Sequence, residues 1–303
     1  MNIVAVIYQI AALLLIAGCG IFLRKKKTLT DPVIEGINSV VLTLVWPAMI
    51  LTTTQKNLSP EWTAGFLRVL LLSTLILSSF SIVLYIFARK TMPQNKQAVF
   101  SALCTLPNAA FIGLPVVQTF YGEAGITYLA AYIVGFNFVL WTVFPVILEG
   151  KFINPFKSLI NLNMISCIAA TLLFVFQIRI PEPFANFFQQ LAYLITPLSM
   201  LILGARLPES FHPKQLKSPI LWSAVFIRLL IFPLAIYGLL RVLGISGMER
   251  GVLVLVSAMP CASSVELLAE NYRKDYQLAT QGISISILFC LATIPFLLWV
   301  TGI

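Results

Sequence analysis

The sequence predicts an all-α integral membrane protein, with ten transmembrane helices arranged as two inverted repeats of five. Three observations support this fold class. The chain of 303 residues is 59% hydrophobic and 10% charged, with a mean hydropathy of +0.94, whereas soluble domains carry about 25% charged residues. Charge-poor stretches recur along the whole chain, and two of them carry prolines at corresponding places in the two halves. The expected location is therefore a cell membrane, inner or plasma, crossed many times.

Ten stretches are long and apolar enough to cross a bilayer, which takes about 20 residues in a helix. They are called spans 1 to 10 below: 3–23, 34–54, 64–88, 97–121, 124–148, 158–178, 183–205, 218–240, 249–271 and 276–300. Span 1 is too long for the core of a signal peptide, and its basic cluster follows it, so we expect a transmembrane helix there. The connections are short, so no inserted soluble domain is expected.

Lysine and arginine residues concentrate in the loops that follow the odd-numbered spans, which hold fourteen of the 20. Because positively charged loops stay in the cytoplasm, both termini are predicted to lie outside it. The same rule explains the net charge of +9. The expected partner of these charges is therefore the lipid bilayer, and no nucleic acid is predicted.

An enzyme is not predicted. The single histidine, His212, lies in the loop between spans 7 and 8, and the sequence contains no HExxH or GxSxG motif and no paired intramembrane aspartates, so the usual catalytic groups are missing. The five cysteines are scattered through apolar stretches without CxxC spacing, which indicates neither a disulfide framework nor a metal site. No cofactor is expected.

The two halves of the chain share a weak internal repeat. The segment Pro47–Leu51 in span 2 resembles Pro197–Leu201 in span 7, at an offset of 150 residues. Residues 1–150 and 151–303 are therefore predicted to be two repeats of five spans each. An odd number of spans per repeat places the two repeats in opposite orientations across the membrane.

Span 4 contains prolines where an unbroken helix is expected. Residues 101–121 read SALCTLPNAAFIGLPVVQTFY, which includes Pro107, Asn108, Gly113 and Pro115. Proline removes a backbone donor and clashes with the preceding turn, so the helix is expected to break. Freed backbone groups in hydrocarbon cost several kcal/mol each unless protein or water satisfies them. A broken helix here therefore predicts a polar cavity or a ligand site.

Span 9 repeats this device with Pro260, followed by Ser263 and Ser264. Two interrupted helices in matching places of two halves are typical of the binding site of a secondary transporter. Spans 4 and 9 are therefore predicted to cross at the middle of the membrane. The predicted substrate-binding residues are Pro107, Asn108, Gly113, Pro115, Asn137, Pro260, Ser263 and Ser264. For Asn137, in span 5, a hydrogen bond between helices is an equally good interpretation.

The expected ligand is an anion. The sequence from Ser263 to Glu266 matches a capping box, in which the serine and the glutamate satisfy the free amides of a helix start. A half-helix that begins there, and another that begins somewhere between Asn108 and Pro115, would point two positive dipole ends at the middle of the membrane. Such ends favour a carboxylate without any lysine.

Arg228 and Glu266 are the two charged residues predicted within the hydrocarbon core. A central arginine costs about 2.5–3.5 kcal/mol even on the lenient insertion scale, so Arg228 needs a partner. The candidates are the substrate, Glu266 and the carbonyls at the end of a half-helix. Glu266 could take up a proton when an anion binds, or form a permanent charge pair. Trp46 is interpreted as a bulk or interface residue.

These motifs resemble the auxin efflux carrier family of PIN-like membrane transporters. The resemblance rests on Pro107-Asn108, the segments Gly113–Pro115 and Ala258–Pro260, Tyr272, and Asn154-Pro155 at the start of span 6. It implies a scaffold of spans 1, 2, 6 and 7, often forming a homodimer, and a mobile transport unit of spans 3–5 and 8–10. It also implies elevator-type transport of small organic anions such as malate, malonate or auxin-like acids. The short connection between spans 5 and 6 resembles that of small bacterial members.

Two other kinds of transport protein remain to be weighed. A sodium-coupled organic-anion symporter of similar architecture is the main alternative, although no aspartate lies in any predicted membrane core and sodium sites usually draw on carboxylates and carbonyls. A channel is a weaker alternative, because a pore needs rings of carbonyls or charges. Crossing broken helices suit a single occluded site instead.

Overall fold

The computed structural model describes residues 3–55, 58–150, 161–210 and 217–303, and the regular structure in these residues is entirely helical. Several residues used above lie outside the described residues: Asn154 and Pro155 of the family motif, His212, and the basic residues Lys56, Lys151, Lys157 and Lys214. The all-helical character that the hydropathy pattern predicts is confirmed for the described part of the chain.

The helices of the first half follow the predicted spans closely. Their bounds are α1 Ile3–Lys25, α2 Asp31–Val40, α3 Trp46–Thr54, α4 Pro60–Thr91, α5 Gln94–Thr105 and α6 Leu114–Glu149. The helices of the second half are α7 Leu162–Val175, α8 Glu182–Tyr193, α9 Ile195–Ser210, α10 Pro219–Phe226, α11 Phe232–Val242, α12 Gly247–Ser257, α13 Ser264–Asn271 and α14 Tyr276–Thr301.

Wider π-helical turns interrupt the chain at Val41–Val45, Ala109–Gly113 and Ile227–Ile231. Each of these segments ends two residues before a proline: Pro47, Pro115 and Pro233. Proline has no N–H to donate and its ring crowds the preceding turn, and a π turn is one of the recognised ways in which a helix adjusts. Pro115 therefore stands at the start of α6, where a proline is tolerated, and does not break a helix as the sequence suggested.

Among the described residues, six helical stretches are long and apolar enough to cross a membrane. They are Asp31–Thr54, Pro60–Thr91, Ala109–Glu149, Glu182–Pro208, Pro219–Val242 and Tyr276–Thr301, and the shorter helix α7 is also apolar. This establishes a multi-pass membrane protein. The ten-span inverted arrangement goes further than these stretches and stays a prediction.

The long helix α6 contains a sharp reversal at Gly122. The φ and ψ angles of this residue are +59° and −153°, a combination that is essentially restricted to glycine. The residues before Gly122 and those after it therefore form two helices joined at a kink. The predicted boundary between spans 4 and 5 falls at this point.

Helices α1 and α9 pack closely through small residues. A Cβ atom added at Gly20 would overlap the backbone of α9 at Leu201, and one added at Gly204 would overlap the backbone of α1 at Ala17. Glycine at such crossings lets two membrane helices approach closely, which favours van der Waals packing. The first helix of the chain is thereby tied to the second half.

Candidate functional site

The two interrupted segments lie against each other and form backbone hydrogen bonds across the gap. The amide of Asn108 donates to the carbonyl of Pro260 at 2.8 Å, and the amide of Ala262 donates to the carbonyl of Leu106 at 2.9 Å. These bonds satisfy groups that the loss of helix leaves free, and such satisfaction is required where water is scarce. The crossing therefore closes as a short antiparallel bridge centred on Pro107 and Cys261.

Asn108 caps the segment that follows the first break. Its side-chain Oδ1 accepts a hydrogen bond from the amide of Phe111 at 3.2 Å, and its backbone carbonyl accepts one from Gly113 at 3.0 Å. Asn108 is buried, and its Nδ2 has no hydrogen-bond partner among the described residues. One half of the amide is thus used to start the helix, and the other half, a donor, is available to a ligand.

Arg228 lies where the two half-helices α5 and α12 end. Its guanidinium donates to the carbonyls of Ser257, of Met259 at 3.0 Å and of Cys104 at 3.4 Å, and the residue is fully buried. A cation at helix C-termini is stabilising because the last carbonyls carry partial negative charge. Of the partners considered from sequence, the carbonyls at the end of a half-helix are therefore the ones that Arg228 contacts.

The charges at the crossing are consequently separated. Carbonyl ends on one side are neutralised by Arg228, while the starts of the next helical segments, at Ala109 and Ser264, present amides and positive dipole ends. A small cavity of about 10 Å³ lies beside these starts, with Asn108, Ser263 and Ser264 among its lining residues. Helix starts of this kind favour negative charge in general.

The structure brings together four of the predicted site residues in that cavity: Pro107, Asn108, Ser263 and Ser264. Pro260 joins them through its backbone hydrogen bond to Asn108. The amide of Gly113 donates a hydrogen bond to the carbonyl of Asn108. Pro115 does not line the cavity and lies at the start of α6. Asn137 lies in a neighbouring cavity, which it shares with Ser264. These positions are geometric, and a ligand role for each residue stays a prediction.

The predicted capping box at Ser263 is wrong. Ser263 has a right-handed helical backbone and its side chain makes no cap hydrogen bond, since the cap geometry needs an extended residue. Glu266 instead pairs with Arg206 on α9 and accepts a hydrogen bond from the hydroxyl of Thr280 on α14 at 2.7 Å. Glu266 is therefore partnered by Arg206 and not by Arg228 or the helix start.

A second polar cavity, of about 30 Å³, surrounds this ion pair. Its polar lining includes Ser199, Arg206, Ser263, Thr280 and Ser284 together with Glu266. Sequence reasoning did not single out Arg206, because it was counted with the basic loop residues. Its position, near the end of span 7 and beside an intramembrane glutamate, was the signal available.

The sequence of the chain matches a known family along nearly its whole length. The sequence profile described as membrane transport protein matches residues 5–155 and 150–298. The chain belongs to the membrane transport protein family. This is the family of auxin efflux carriers that the motifs at the two breaks predicted, so that prediction is confirmed.

Relatives of this membrane transport protein come from archaea and bacteria. The chain is 25% identical to the uncharacterised transporter MJ1031 of Methanocaldococcus jannaschii over 282 residues, 87% of this chain and 88% of the relative. It is 25% identical to an uncharacterised transporter of Methanothermobacter thermautotrophicus, over 96% of both chains. It is 22% identical to the uncharacterised transporter YfdV of Escherichia coli K12, over 93% of this chain and 92% of the relative. The family and these relatives are described as transporters.

Proposed function

We propose that this membrane transport protein carries small organic anions, such as malate, malonate or auxin-like acids, through a site at the crossing of its two broken segments. The observation that carries the proposal is the buried, unpartnered Nδ2 of Asn108 beside two helix starts. Donors and positive dipole ends stabilise a carboxylate in a low-dielectric cavity. The cavity beside them measures about 10 Å³, so a substrate binds there only when the surrounding segments move apart.

The proposed architecture is a ten-span inverted repeat of residues 1–150 and 151–303. Two features support it: the family profile matches in two consecutive stretches that divide the chain near residue 150, and the two breaks pair in antiparallel fashion. Both termini lie outside the cytoplasm in this proposal. Labelling of a cysteine placed at residue 303 from outside intact cells tests the orientation, and labelling only after permeabilisation contradicts it.

The proposed mechanism is an elevator motion. Spans 3–5 and 8–10 move as a transport unit against a scaffold of spans 1, 2, 6 and 7, and the scaffold forms a homodimer. Inverted repeats supply two nearly equivalent packings of one unit, which alternating access requires. The contact between Arg206 of span 7 and Glu266 of span 9 joins the two proposed units.

That contact provides a test of the elevator. Cysteines at Arg206 and Glu266, in a background with the exposed Cys19 replaced by serine, should form a cross-link that abolishes flux in proteoliposomes. Reduction should restore flux to the level of the uncross-linked double variant. Full flux in the cross-linked protein contradicts movement between α9 and α13, and each single-cysteine variant serves as the control.

The direct test of the proposed function is a thermal-shift screen of the purified carrier against mono- and dicarboxylates, followed by liposome flux of each hit. We expect at least one carboxylate to stabilise the protein, because a ligand that binds only the folded state raises its stability. Flux measured with and without sodium separates the proposal from the sodium-coupled alternative. Protein that binds none of the carboxylates, yet is folded, contradicts the proposal.

A further inference from the structure

A group of buried polar atoms lies next to the crossing. The chamber they line is bounded by Trp46, Asn137, Trp141, Asn163 and Ser264, with apolar walls from Leu42, Leu140 and Leu268, and is called the indole chamber. Each of its five polar residues has one buried nitrogen or oxygen without a hydrogen-bond partner in the part of the chain that the structure describes. Leaving a buried polar group unpaired costs about 1–3 kcal/mol, so five in one chamber indicate that something else binds there.

The chemistry of these atoms defines what fits. The indole Nε1 of Trp46 and that of Trp141 can only donate, so they require an acceptor. The Nδ2 of Asn137 donates to the carbonyl of Ile133 at 2.8 Å, which leaves its Oδ1 to accept. Ser264 can do either. The unpaired atom of Asn163 is its Oδ1, which also accepts. A hydroxyl can accept from an indole and donate to an asparagine, whereas a carboxylate can accept only from the indoles and Ser264.

The size of the chamber restricts the occupant further. Its volume is about 10 Å³, which is room for about one water-sized group. A whole organic anion does not fit, whereas a single terminal functional group does. Asn137 and Asn163 are buried and Trp46 is 5% exposed, so the group would be removed from bulk solvent.

The indole chamber adjoins the cavity at the crossing. Trp46 and Ser264 line both the chamber and the cavity that contains Asn108. The ring of Trp46 also packs edge-on against Phe111, with ring centroids 5.2 Å apart. A ligand whose carboxylate lies at the helix starts therefore has the chamber as one polar neighbour, on the side of Trp46 and Ser264.

We propose that the indole chamber binds the end of the substrate opposite its carboxylate, and that this end carries an oxygen acceptor. The inference rests on the proposed transport function and assigns the indole donors Trp46 and Trp141 to the substrate site. These residues select anions with a second oxygen group over anions with an apolar tail, because an apolar tail leaves the indole N–H groups unpaired.

The test uses ligands matched in size. 4-Hydroxybutyrate and valerate have the same number of non-hydrogen atoms and the same charge, and differ by a terminal hydroxyl in place of a methyl. Succinate adds a second carboxylate. Binding of each is measured by calorimetry on the full-length protein in nanodiscs. We expect 4-hydroxybutyrate and succinate to bind roughly ten-fold more tightly than valerate, which corresponds to one or two buried hydrogen bonds.

Variants locate the effect in the chamber. Trp141→Phe and Trp46→Phe keep an aromatic ring and remove the N–H, and each should abolish most of the preference while leaving valerate affinity within about two-fold. Ser264→Ala is a smaller change to the same chamber and should reduce the preference in the same direction. It replaces a tryptophan variant that fails to fold. Trp299→Phe, at a side chain that is 78% exposed, is the matched control and should change nothing.

The outcomes are distinct. Equal affinity for 4-hydroxybutyrate and valerate, or equal losses for both ligands in the tryptophan variants, overturns the inference and means that the chamber holds ordered water only. Binding of valerate without that of the oxygen-bearing ligands also overturns it, while the proposed transport of carboxylates stands. Binding of none of these three ligands overturns the inference, and the proposed transport of carboxylates falls with it only when the wider carboxylate screen also finds no ligand.

Discussion

The two breaks occupy corresponding places in the two halves, yet they are held in different ways. The first, at residues 106–108, is short, and Asn108 caps the next segment with its own side chain. The second, at residues 258–263, is longer and Ser263 contributes no cap. The second relies on α14, where Ser286 accepts a hydrogen bond from the amide of Cys261 at 3.0 Å. Beyond the bonds that join the two breaks, the first is therefore capped by its own residue, and the second takes its partner from α14.

This difference has a consequence for motion. A segment capped by its own residue keeps its shape wherever it moves, whereas one held by other helices changes when those helices shift. The second break is held by α14 through Ser286 and, further on, Glu266 is held by Arg206 on α9. The second half-helix is consequently the one that can respond to movement between the two proposed units.

The largest effect is expected where both breaks share one residue. Arg228→Met removes the donor to carbonyls of α5 and α12, and leaves buried carbonyls unpaired. Disrupting a buried charged network costs about 3–5 kcal/mol, so the thermal unfolding midpoint in nanodiscs should fall steeply. Arg241→Met, at an arginine stacked on Tyr237 at 5.8 Å, is the control. A midpoint as high as in that control contradicts the assigned role of Arg228.

The next effect concerns the second break alone. Ser286→Ala leaves the amide of Cys261 without its partner, and Cys261 is fully buried. We expect a loss of about 1–3 kcal/mol in the free energy of unfolding, the cost of an unpaired buried donor. Ser79→Ala removes a hydroxyl that donates to Ile76 within its own helix, and should cost clearly less. Equal losses for the two variants argue against the dependence of this break on α14.

A direct comparison of the two breaks uses matched alanine variants. Asn108→Ala removes a cap and should cost about 1–2 kcal/mol of stability, and it should also weaken carboxylate binding. Ser263→Ala removes no cap hydrogen bond. Its change in the free energy of unfolding should therefore stay within about 0.5 kcal/mol, as for substitutions that break no specific contact. Unfolding measured on both proteins checks the difference. A cost at Ser263 as large as at Asn108 means that the two breaks are capped alike.

The sequence predicted the two breaks because proline and hydropathy act locally. Pro107 and Pro260 both lie at real interruptions, and the residues around them meet at the crossing. Pro115 was grouped with them incorrectly. It stands just after a π turn at the start of α6, and whether a proline breaks a helix or begins one depends on the hydrogen-bond register, which the sequence does not display.

The parts of the site that escaped prediction depend on residues distant in the chain. The capping box failed because the partner of Glu266 is Arg206, 60 positions earlier. Trp46 was interpreted as bulk, yet its indole lines the chamber beside Asn163, on a different helix. Such pairings arise from helix packing and leave no local pattern in the sequence. Hydrophobic periodicity and prolines, by contrast, are visible in the sequence itself.

A small effect on stability is also expected at Glu266, and this residue decides the question of proton coupling. Glu266→Gln keeps the shape and the hydrogen bond from Thr280 and loses the charge opposite Arg206. Because both side chains are partly exposed, the pair should contribute about 0–1 kcal/mol. Removing a negative charge near the anion site should raise carboxylate affinity.

The pH dependence of that affinity separates the two views of Glu266. In a permanent pair, Glu266 stays bonded to Arg206 with or without substrate. The variant should then raise affinity by the same factor at every pH, which calorimetry between about pH 5 and pH 8 checks; this pH range spans the physiological titrations. If a bound anion drives protonation instead, the parent binds more tightly at low pH and the variant loses that slope. We expect the affinity of the parent and that of Glu266→Gln to have the same slope with pH. The control is Asp31→Asn, which removes the carboxylate of the exposed pair with Arg24. A slope that is lost in Glu266→Gln but kept in Asp31→Asn assigns the coupled proton to Glu266.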